Sequence, residues 1–135
     1  MMKKSYWMWY WGDYEIYHTY IMSNRREEYG ADYAAKTVAK PGYSEHHTGL
    51  ALDLYLIIDG VDVVENEDMI QYTDIWATIH SKLADYGFIL RYPNDKSDKT
   101  GIIYEPWHYR YVGKEVAKEL KESGLCLEEY LEKLS

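Results

Sequence analysis

The chain has 135 residues, of which 47% are hydrophobic and 28% charged, and this composition indicates one folded domain over residues 1–135. It carries 15 Lys and Arg against 23 Asp and Glu, a formal charge of −8, which excludes the positive surface that nucleic-acid binding requires. The single cysteine excludes a disulfide framework and any zinc site built from several cysteines.

Targeting signals at the N-terminus are weak. Residues 1–4 carry the positive charge of a signal-peptide start, but the apolar run 6–11 is aromatic and shorter than such a core requires. No window reaches the roughly 18 apolar residues of a transmembrane helix. We predict a chain without a transmembrane segment, cytoplasmic as written, or located in the cell envelope if a leader or anchor was lost.

In the first half of the chain the pattern predicts one helix followed by two strands. Residues 14–36 are mostly good helix formers, with a break near Gly30. The aliphatic run 50–58 predicts a buried strand, and Asp59-Gly60 predicts a tight turn into a second strand at 61–64.

The second half alternates helices and short strands. Residues 73–86 place Ile75, Trp76 and Ile79 on one helical face, and Gly87 ends that helix. The remaining predicted elements are a strand at 88–90, a loop at 93–101, strand pieces at 102–104 and 107–112, and helices at 114–123 and 127–134. Few strands among segregated helices predict an α+β fold, a small antiparallel sheet flanked by helices.

The first chemically informative segment is Ser44-Glu45-His46-His47-Thr48-Gly49-Leu50-Ala51-Leu52-Asp53. By the period of two, Asp53 shares a strand face with Ala51 and Tyr55. A carboxylate in such an apolar strand is costly to bury without a cation or strong hydrogen-bond donors. Gly49 permits a sharp turn, so that His46 can approach Asp53.

The second segment is Glu105-Pro106-Trp107-His108. Glu105 and His108 have opposite parity in a regular strand, but Pro106 makes a local irregularity that lets both side chains reach one cavity. His46, Asp53 and His108 would then supply the three protein ligands of a catalytic zinc ion. Glu105 remains as the general base for the bound water. The alternative at this stage is that each histidine is structural.

Both segments resemble motifs of the zinc peptidases that include lysostaphin, the D-Ala-D-Ala metallopeptidases and the hedgehog domains. The first segment matches Ser-x-His-x-x-Gly-x-Ala-x-Asp at every fixed position, and the second matches Glu-Pro-Trp-His in full. The run 86–93 and the run 104–113 are similar to the VanY and VanXY D,D-carboxypeptidases of peptidoglycan metabolism and vancomycin resistance. The resemblance spans residues 29–135.

The resemblance implies a hedgehog/D,D-peptidase-like fold and a Zn²⁺ cofactor held by His46, Asp53 and His108. It implies that Glu105 activates water for hydrolysis of the C-terminal D-amino acid of a D-Ala-D-Ala-terminated peptide or peptidoglycan precursor. Ser44 and Trp107 would line the substrate side. Arg110 shares strand parity with His108, so we predict that it supports the site or binds a substrate carboxylate, against the alternative of a surface ion pair.

One departure from the family concerns an arginine in a turn ahead of the first helix. Counting back from Ser44 places that turn near Gly12-Asp13-Tyr14, and no arginine precedes Arg25. The family's N-terminal part is therefore truncated here, or the substrate is held differently. A second function class follows, namely a catalytically impaired zinc-containing domain that binds cell-wall peptides or a protein partner. D,D-carboxypeptidase, D,D-dipeptidase and L,D-carboxypeptidase activities also stay open.

Several other residues receive structural interpretations. His18 and His80 lie in helical stretches and are expected to be surface or hydrogen-bonded histidines. Trp76 and Cys126 are expected in the core, and Arg91 is expected to be structural.

Overall fold

The structure is a computed structural model that describes residues 27–28, 30–37, 39 and 43–135. Its helices in that range are α1 (Ala31–Thr37), α2 (Asn66–Met69), α3 (Thr73–Lys82), α4 (Ser97–Thr100), α5 (Lys114–Ser123) and α6 (Leu127–Leu134), with 3₁₀ helices at Glu45–Thr48 and Leu83–Tyr86. Its strands are β1 (Ala51–Asp53), β2 (Leu56–Ile58), β3 (Val61–Val63), β4 (Phe88–Leu90) and β5 (His108–Tyr111).

The main sheet has the order β1-β5-β4 and is antiparallel throughout. Its register sets Asp53 opposite His108 and Ala51 opposite Arg110. Because side chains alternate between the two faces, these four residues and Ile89 share one face. Residues of the two motifs, 44–53 and 105–108, therefore meet on this face of the sheet, which we call the site face.

The opposite face of the sheet covers the larger hydrophobic core. Tyr109 and Trp76 are each 1% exposed there, and Trp76 reaches it from α3. The Trp76 indole N–H donates to the Met69 carbonyl at 2.6 Å, so the buried ring keeps a hydrogen-bond partner. A second, smaller core joins Ile89 of the site face to Ala84, Ala117 and Leu120. The predicted core positions of Trp76 and Cys126 are confirmed.

Local signals predicted several elements correctly. The hairpin β2-β3 turns at Asp59 and Gly60, whose φ values of 51° and 83° are both positive, as a type I′ turn requires. Helices α5 and α6 have the predicted bounds, and Gly124 separates them with φ 67°. Gly30, with φ 90°, lies just before α1. The earlier part of the predicted helix 14–36 lies outside the described residues.

The predicted strand 50–58 is wrong as a single element. It divides into β1 and β2, and Tyr55 between them is 56% exposed instead of sharing a strand face with Asp53. The Leu54 N–H still donates to the Trp107 carbonyl, but β5 begins only at His108. Beyond Asp53 the strand has no further residue of β5 to pair with. The chain therefore leaves the main sheet and forms the separate hairpin β2-β3.

Three further predictions need correction. Residues 102–104 do not form a strand. Two of their N–H groups bind elsewhere instead of pairing with a strand: that of Ile103 donates to the Lys36 carbonyl and that of Ile102 to Thr100 Oγ1. The predicted loop 93–101 contains the single-turn helix α4. The predicted helix 73–86 ends as an α-helix at Lys82 and continues as a 3₁₀ turn, which Gly87 closes with φ 83°.

The observed architecture confirms the α+β prediction of a small antiparallel sheet with helices packed against it. Among the described residues, no helix is long and apolar enough to cross a membrane.

Candidate active site

His46 is positioned by the short 3₁₀ helix that precedes β1. Ser44 caps this helix, and its Oγ accepts a hydrogen bond from the His46 N–H at 3.3 Å. Gly49 ends it with φ 71° and donates its N–H to the His46 carbonyl. This tight turn carries the chain into β1, so that His46 and Asp53 lie side by side.

Asp53 lies between the two histidines. Its Oδ2 is 3.3 Å from His46 Nε2, and its Oδ1 is 2.9 Å from His108 Nδ1. The two imidazole rings meet edge to face with centroids 4.9 Å apart. One possible ligand atom from each of the three residues lies within 4.8 Å of the others. The structure therefore brings together the three residues predicted to bind metal.

Glu105 joins this cluster through the turn at Pro106. The His108 N–H donates to the Glu105 carbonyl at 3.2 Å, and the Glu105 N–H donates to the Tyr92 carbonyl. As a result, the Glu105 Oε2 lies 3.8 Å from His108 Nδ1, and the residue is 7% exposed. The irregularity predicted at Pro106 is what brings both side chains to one place.

Burial and charge shift the pKa values of these groups strongly. Burial raises the pKa of Glu105 to about 8, although His108 acts in the opposite direction. Burial would lower the pKa of His108, but hydrogen bonds to Asp53 and Glu45 raise it to about 9. Burial would raise the pKa of Asp53, yet hydrogen bonds from His108 and His46 hold it well below its usual range. A cation bound between these groups would favour the deprotonated forms of Glu105 and His108.

A second network, which the sequence reasoning missed, surrounds Glu45. Arg91 Nε lies 2.6 Å and Arg110 NH1 2.9 Å from Glu45 Oε1, while His108 Nε2 lies 3.4 Å from Glu45 Oε2. Burial would raise the pKa of Glu45, but its hydrogen bonds with His108 and Arg91 lower it to about 2. Arg91 also binds Glu128 of α6 with two hydrogen bonds. A sequence signal was present for Arg110, which has the strand parity of His108, whereas the position of Arg91 depends on the register of β4 against β5.

The other predicted site residues occupy different positions. Ser44 is buried and acts as the helix cap, and Trp107 is 5% exposed within the larger core. Their substrate-side roles stay predictions. Arg110 approaches the site through Glu45, and its Nε is buried without a hydrogen-bond partner in the described part of the chain.

The remaining described histidines lie outside the cluster. His80 Nε2 is 2.8 Å from the Pro106 carbonyl oxygen, which confirms its interpretation as a hydrogen-bonded structural histidine. His47 is exposed and does not belong to the three-residue group. His18 and the turn expected near residues 12–14 lie outside the described residues.

The donor set of the cluster fits a zinc ion. Two imidazole nitrogens and one carboxylate are the ligands of catalytic zinc sites that keep a position open for water. In this structure the buried carboxylate of Glu105 lies beside the three proposed ligands.

Comparison with known proteins points the same way. A protein-family model described as VanY, D-alanyl-D-alanine carboxypeptidase, matches residues 14–114. The chain is 44% identical over 115 residues to the putative carboxypeptidase YodJ of Bacillus subtilis, covering 84% of this chain and 41% of the relative. It is 47% identical over 94 residues to a D-alanyl-D-alanine carboxypeptidase of Enterococcus faecalis, covering 70% of this chain and 32% of the relative. The matched region therefore covers less than half the length of each of these relatives.

Solved structures share the fold. VanYB in complex with D-alanine-D-alanine superimposes with a TM-score of 0.71 at 38% identity, over 87% of this chain and 65% of that one. A VanY E175A mutant in complex with Zn(II) gives a TM-score of 0.70 at 39% identity, over 87% and 66%. The LD-carboxypeptidase LdcB gives a TM-score of 0.70 at 40% identity, over 86% and 58%. With its motifs, fold and family match in agreement, the chain belongs to the VanY D-alanyl-D-alanine carboxypeptidase family.

Proposed function

We propose that this chain is a zinc-dependent D-alanyl-D-alanine carboxypeptidase that removes the C-terminal D-amino acid from peptidoglycan stem peptides. The observation that supports this most directly is the meeting of His46, Asp53 and His108 within 4.8 Å, with the Glu105 carboxylate 3.8 Å from His108. The single domain expected over residues 1–135 would carry this chemistry. The predicted cytoplasmic location stays a prediction.

In this proposal His46 Nε2, an oxygen of Asp53 and His108 Nδ1 hold the metal. These are the atoms that face one another in the cluster. When bound, zinc lowers the pKa of a water molecule and polarises the scissile carbonyl. The relative solved with Zn(II) supports zinc as the metal.

Glu105 is the proposed general base and acid. Its carboxylate takes a proton from the attacking water as the new carbon–oxygen bond forms at the scissile carbonyl. It then gives that proton to the amine nitrogen as the carbon–nitrogen bond breaks, so the carboxylate ends in its starting state. The Glu105 side chain is suited to this transfer because it is buried, adjacent to the metal ligands and not held by an arginine in the described residues.

Arg110 is the proposed contact for a substrate carboxylate. Its Nε is buried without a hydrogen-bond partner among the described residues, while NH1 binds Glu45. The Arg110 side chain is partly exposed on the site face, and a guanidinium in such a position is suited to bind a carboxylate. Ser44 and Trp107 remain proposed substrate-side residues on the strength of the motif alone.

The proposal is tested by release of D-Ala from a peptide that ends in D-Ala-D-Ala. The assay compares protein as purified, protein treated with a chelator, and treated protein given zinc. A peptide with one terminal D-Ala after an L-residue and the free D-Ala-D-Ala dipeptide separate L,D-carboxypeptidase and dipeptidase activities from D,D-carboxypeptidase activity. We expect zinc-dependent release from the D-Ala-D-Ala peptide. Saturable peptide binding without turnover would contradict the proposal and favour the impaired domain.

A further inference from the structure

Glu45 makes three charged contacts next to the proposed metal ligands but is not one of them. Its side chain is 14% exposed, and it lies one residue before His46 in the 3₁₀ helix. Two arginine contacts converge on Oε1 alone, from Arg91 Nε at 2.6 Å and Arg110 NH1 at 2.9 Å. The second oxygen, Oε2, faces His108 Nε2 at 3.4 Å.

The two ring nitrogens of His108 therefore have different carboxylate neighbours. Nδ1 faces Asp53 at 2.9 Å on the side of the proposed metal site, and Nε2 faces Glu45 on the opposite side of the ring. A nitrogen that binds a metal must present a lone pair, so a neutral imidazole then carries its proton on the other nitrogen. With a metal bound at Nδ1, the proton of His108 would be on Nε2, 3.4 Å from the Glu45 oxygen that can accept it.

Glu45 is itself held in place from two strands. Arg91 follows β4 and Arg110 lies in β5, so the carboxylate is fixed relative to the same sheet that carries His108. Because both arginines bind Oε1, Oε2 is left to accept from the histidine. The side chain of Arg91 is 10% exposed, which limits competition from water.

We propose that Glu45 is a positioning residue that accepts the Nε2–H of His108 and holds the imidazole with Nδ1 directed at the metal. The inference rests on the proposed zinc site. Carboxylates that bind the second ring nitrogen of a metal-bound histidine orient the ring, set its tautomer and raise its basicity, and their loss weakens metal affinity about 10- to 100-fold.

The test measures the zinc dissociation constant of the full chain by competition with a chromophoric chelator. It compares Glu45→Ala, Glu45→Gln and the matched control Glu128→Gln. Glu45 and Glu128 both bind Arg91, but only Glu45 contacts His108. We expect Glu45→Ala to raise the dissociation constant about 10- to 100-fold. Glu45→Gln should raise it less, because an amide oxygen still accepts the Nε2–H. The dissociation constant of the control should stay within about threefold of that of the unsubstituted chain, because Glu128 does not contact a proposed metal ligand.

Nitrogen NMR of the histidine rings adds a readout that a merely structural role would not move. We expect the zinc-loaded chain to show His108 protonated on Nε2, and the Glu45→Ala chain to lose that fixed tautomer.

The outcomes separate the inference from the proposed function. If the unsubstituted chain does not bind zinc, both are overturned. If it binds zinc and Glu45→Ala binds as tightly, the inference alone is overturned. Where Glu45→Ala does not fold, Glu45→Gln decides, and an unchanged dissociation constant overturns the inference. A control that weakens zinc binding as much as Glu45→Ala also overturns it, because the effect then comes from Arg91.

Discussion

Asp53 and His108 lie directly opposite each other in the antiparallel strands β1 and β5, with His108 Nδ1 2.9 Å from Asp53 Oδ1. This pairing joins two motifs that are 55 residues apart in the sequence, at 53 and 108. The side chains meet because opposite residues of an antiparallel pair project to the same face. The strand register therefore creates the centre of the proposed active site.

Replacing Asp53 tests the metal site itself. Asp53→Asn keeps the size of the side chain but removes the charge that faces both histidines. We expect zinc content after dialysis to fall well below one ion per chain and D-Ala release to fall with it. Asp62→Asn, in the hairpin and outside the cluster, is the control and should retain zinc. Full zinc content in Asp53→Asn would argue against Asp53 as a ligand.

Replacing Glu105 should separate catalysis from metal binding. Glu105→Gln removes the proton acceptor but preserves the turn, whose hydrogen bonds use the Glu105 main chain. General acid–base catalysis typically contributes about 10²- to 10⁴-fold, so we expect kcat to fall by that factor while zinc content is unchanged. Steady-state assays and metal analysis on the same samples measure both. An unchanged kcat would rule out the proposed role, and exposed Glu115→Gln serves as the control.

Arg110→Ala tests the proposed contact with the substrate carboxylate. Because the Arg110 side chain is partly exposed on the site face, we expect kcat/KM to fall about 10- to 100-fold, in line with loss of a charge-assisted hydrogen bond worth about 1.5–3 kcal/mol. Unchanged turnover and zinc content would show that Arg110 is not needed for substrate. Arg110→Lys, which keeps the charge but not the fork, should recover only part of the loss.

The pair of Arg91 and Glu128 ties the last helix to the sheet. NH1 and NH2 of Arg91 bind the two carboxylate oxygens of Glu128 at 2.9 and 2.6 Å. Glu128→Gln leaves a largely buried guanidinium short of an acceptor, so the free energy of unfolding should fall by about 1–3 kcal/mol. Glu132→Gln, exposed on the same helix, should change it by less than about 0.5 kcal/mol. Urea denaturation measures both, and equal stabilities would contradict a structural role for the pair.

Gly87 is required for two reasons that substitution can separate. Its φ is +83°, and a Cβ there would lie 2.8 Å from Tyr111 Cε2 and 3.1 Å from the Gly113 carbonyl carbon. Gly87→Ala should therefore lower the free energy of unfolding by the left-handed backbone penalty of about 1–2 kcal/mol and by a further steric cost. Gly124→Ala has φ +67° but nothing within 4 Å, so it measures the backbone penalty alone. Equal losses of unfolding free energy in the two variants would show that the contact with Tyr111 is relieved without cost.

Local signals predicted the parts of the fold that depend on neighbouring residues. The turn at Asp59-Gly60 and the separation of α5 from α6 at Gly124 both require positive φ, which these residues adopt readily. The aromatic run 6–11 stays unexplained, since it lies outside the described residues. The division of the predicted strand 50–58 had no local signal, because it depends on where β5 begins to pair.

The sequence by itself determined the family resemblance, the proposed ligands and Glu105, because these residue types stand at fixed spacing within two short motifs. Only the tertiary structure decided that Glu45 stands behind His108 and that Arg91 links Glu45 to Glu128. These contacts join residues 37 to 63 positions apart. Their physical cause is the pairing of strands and the docking of α6, which bring charges together only when the chain is folded.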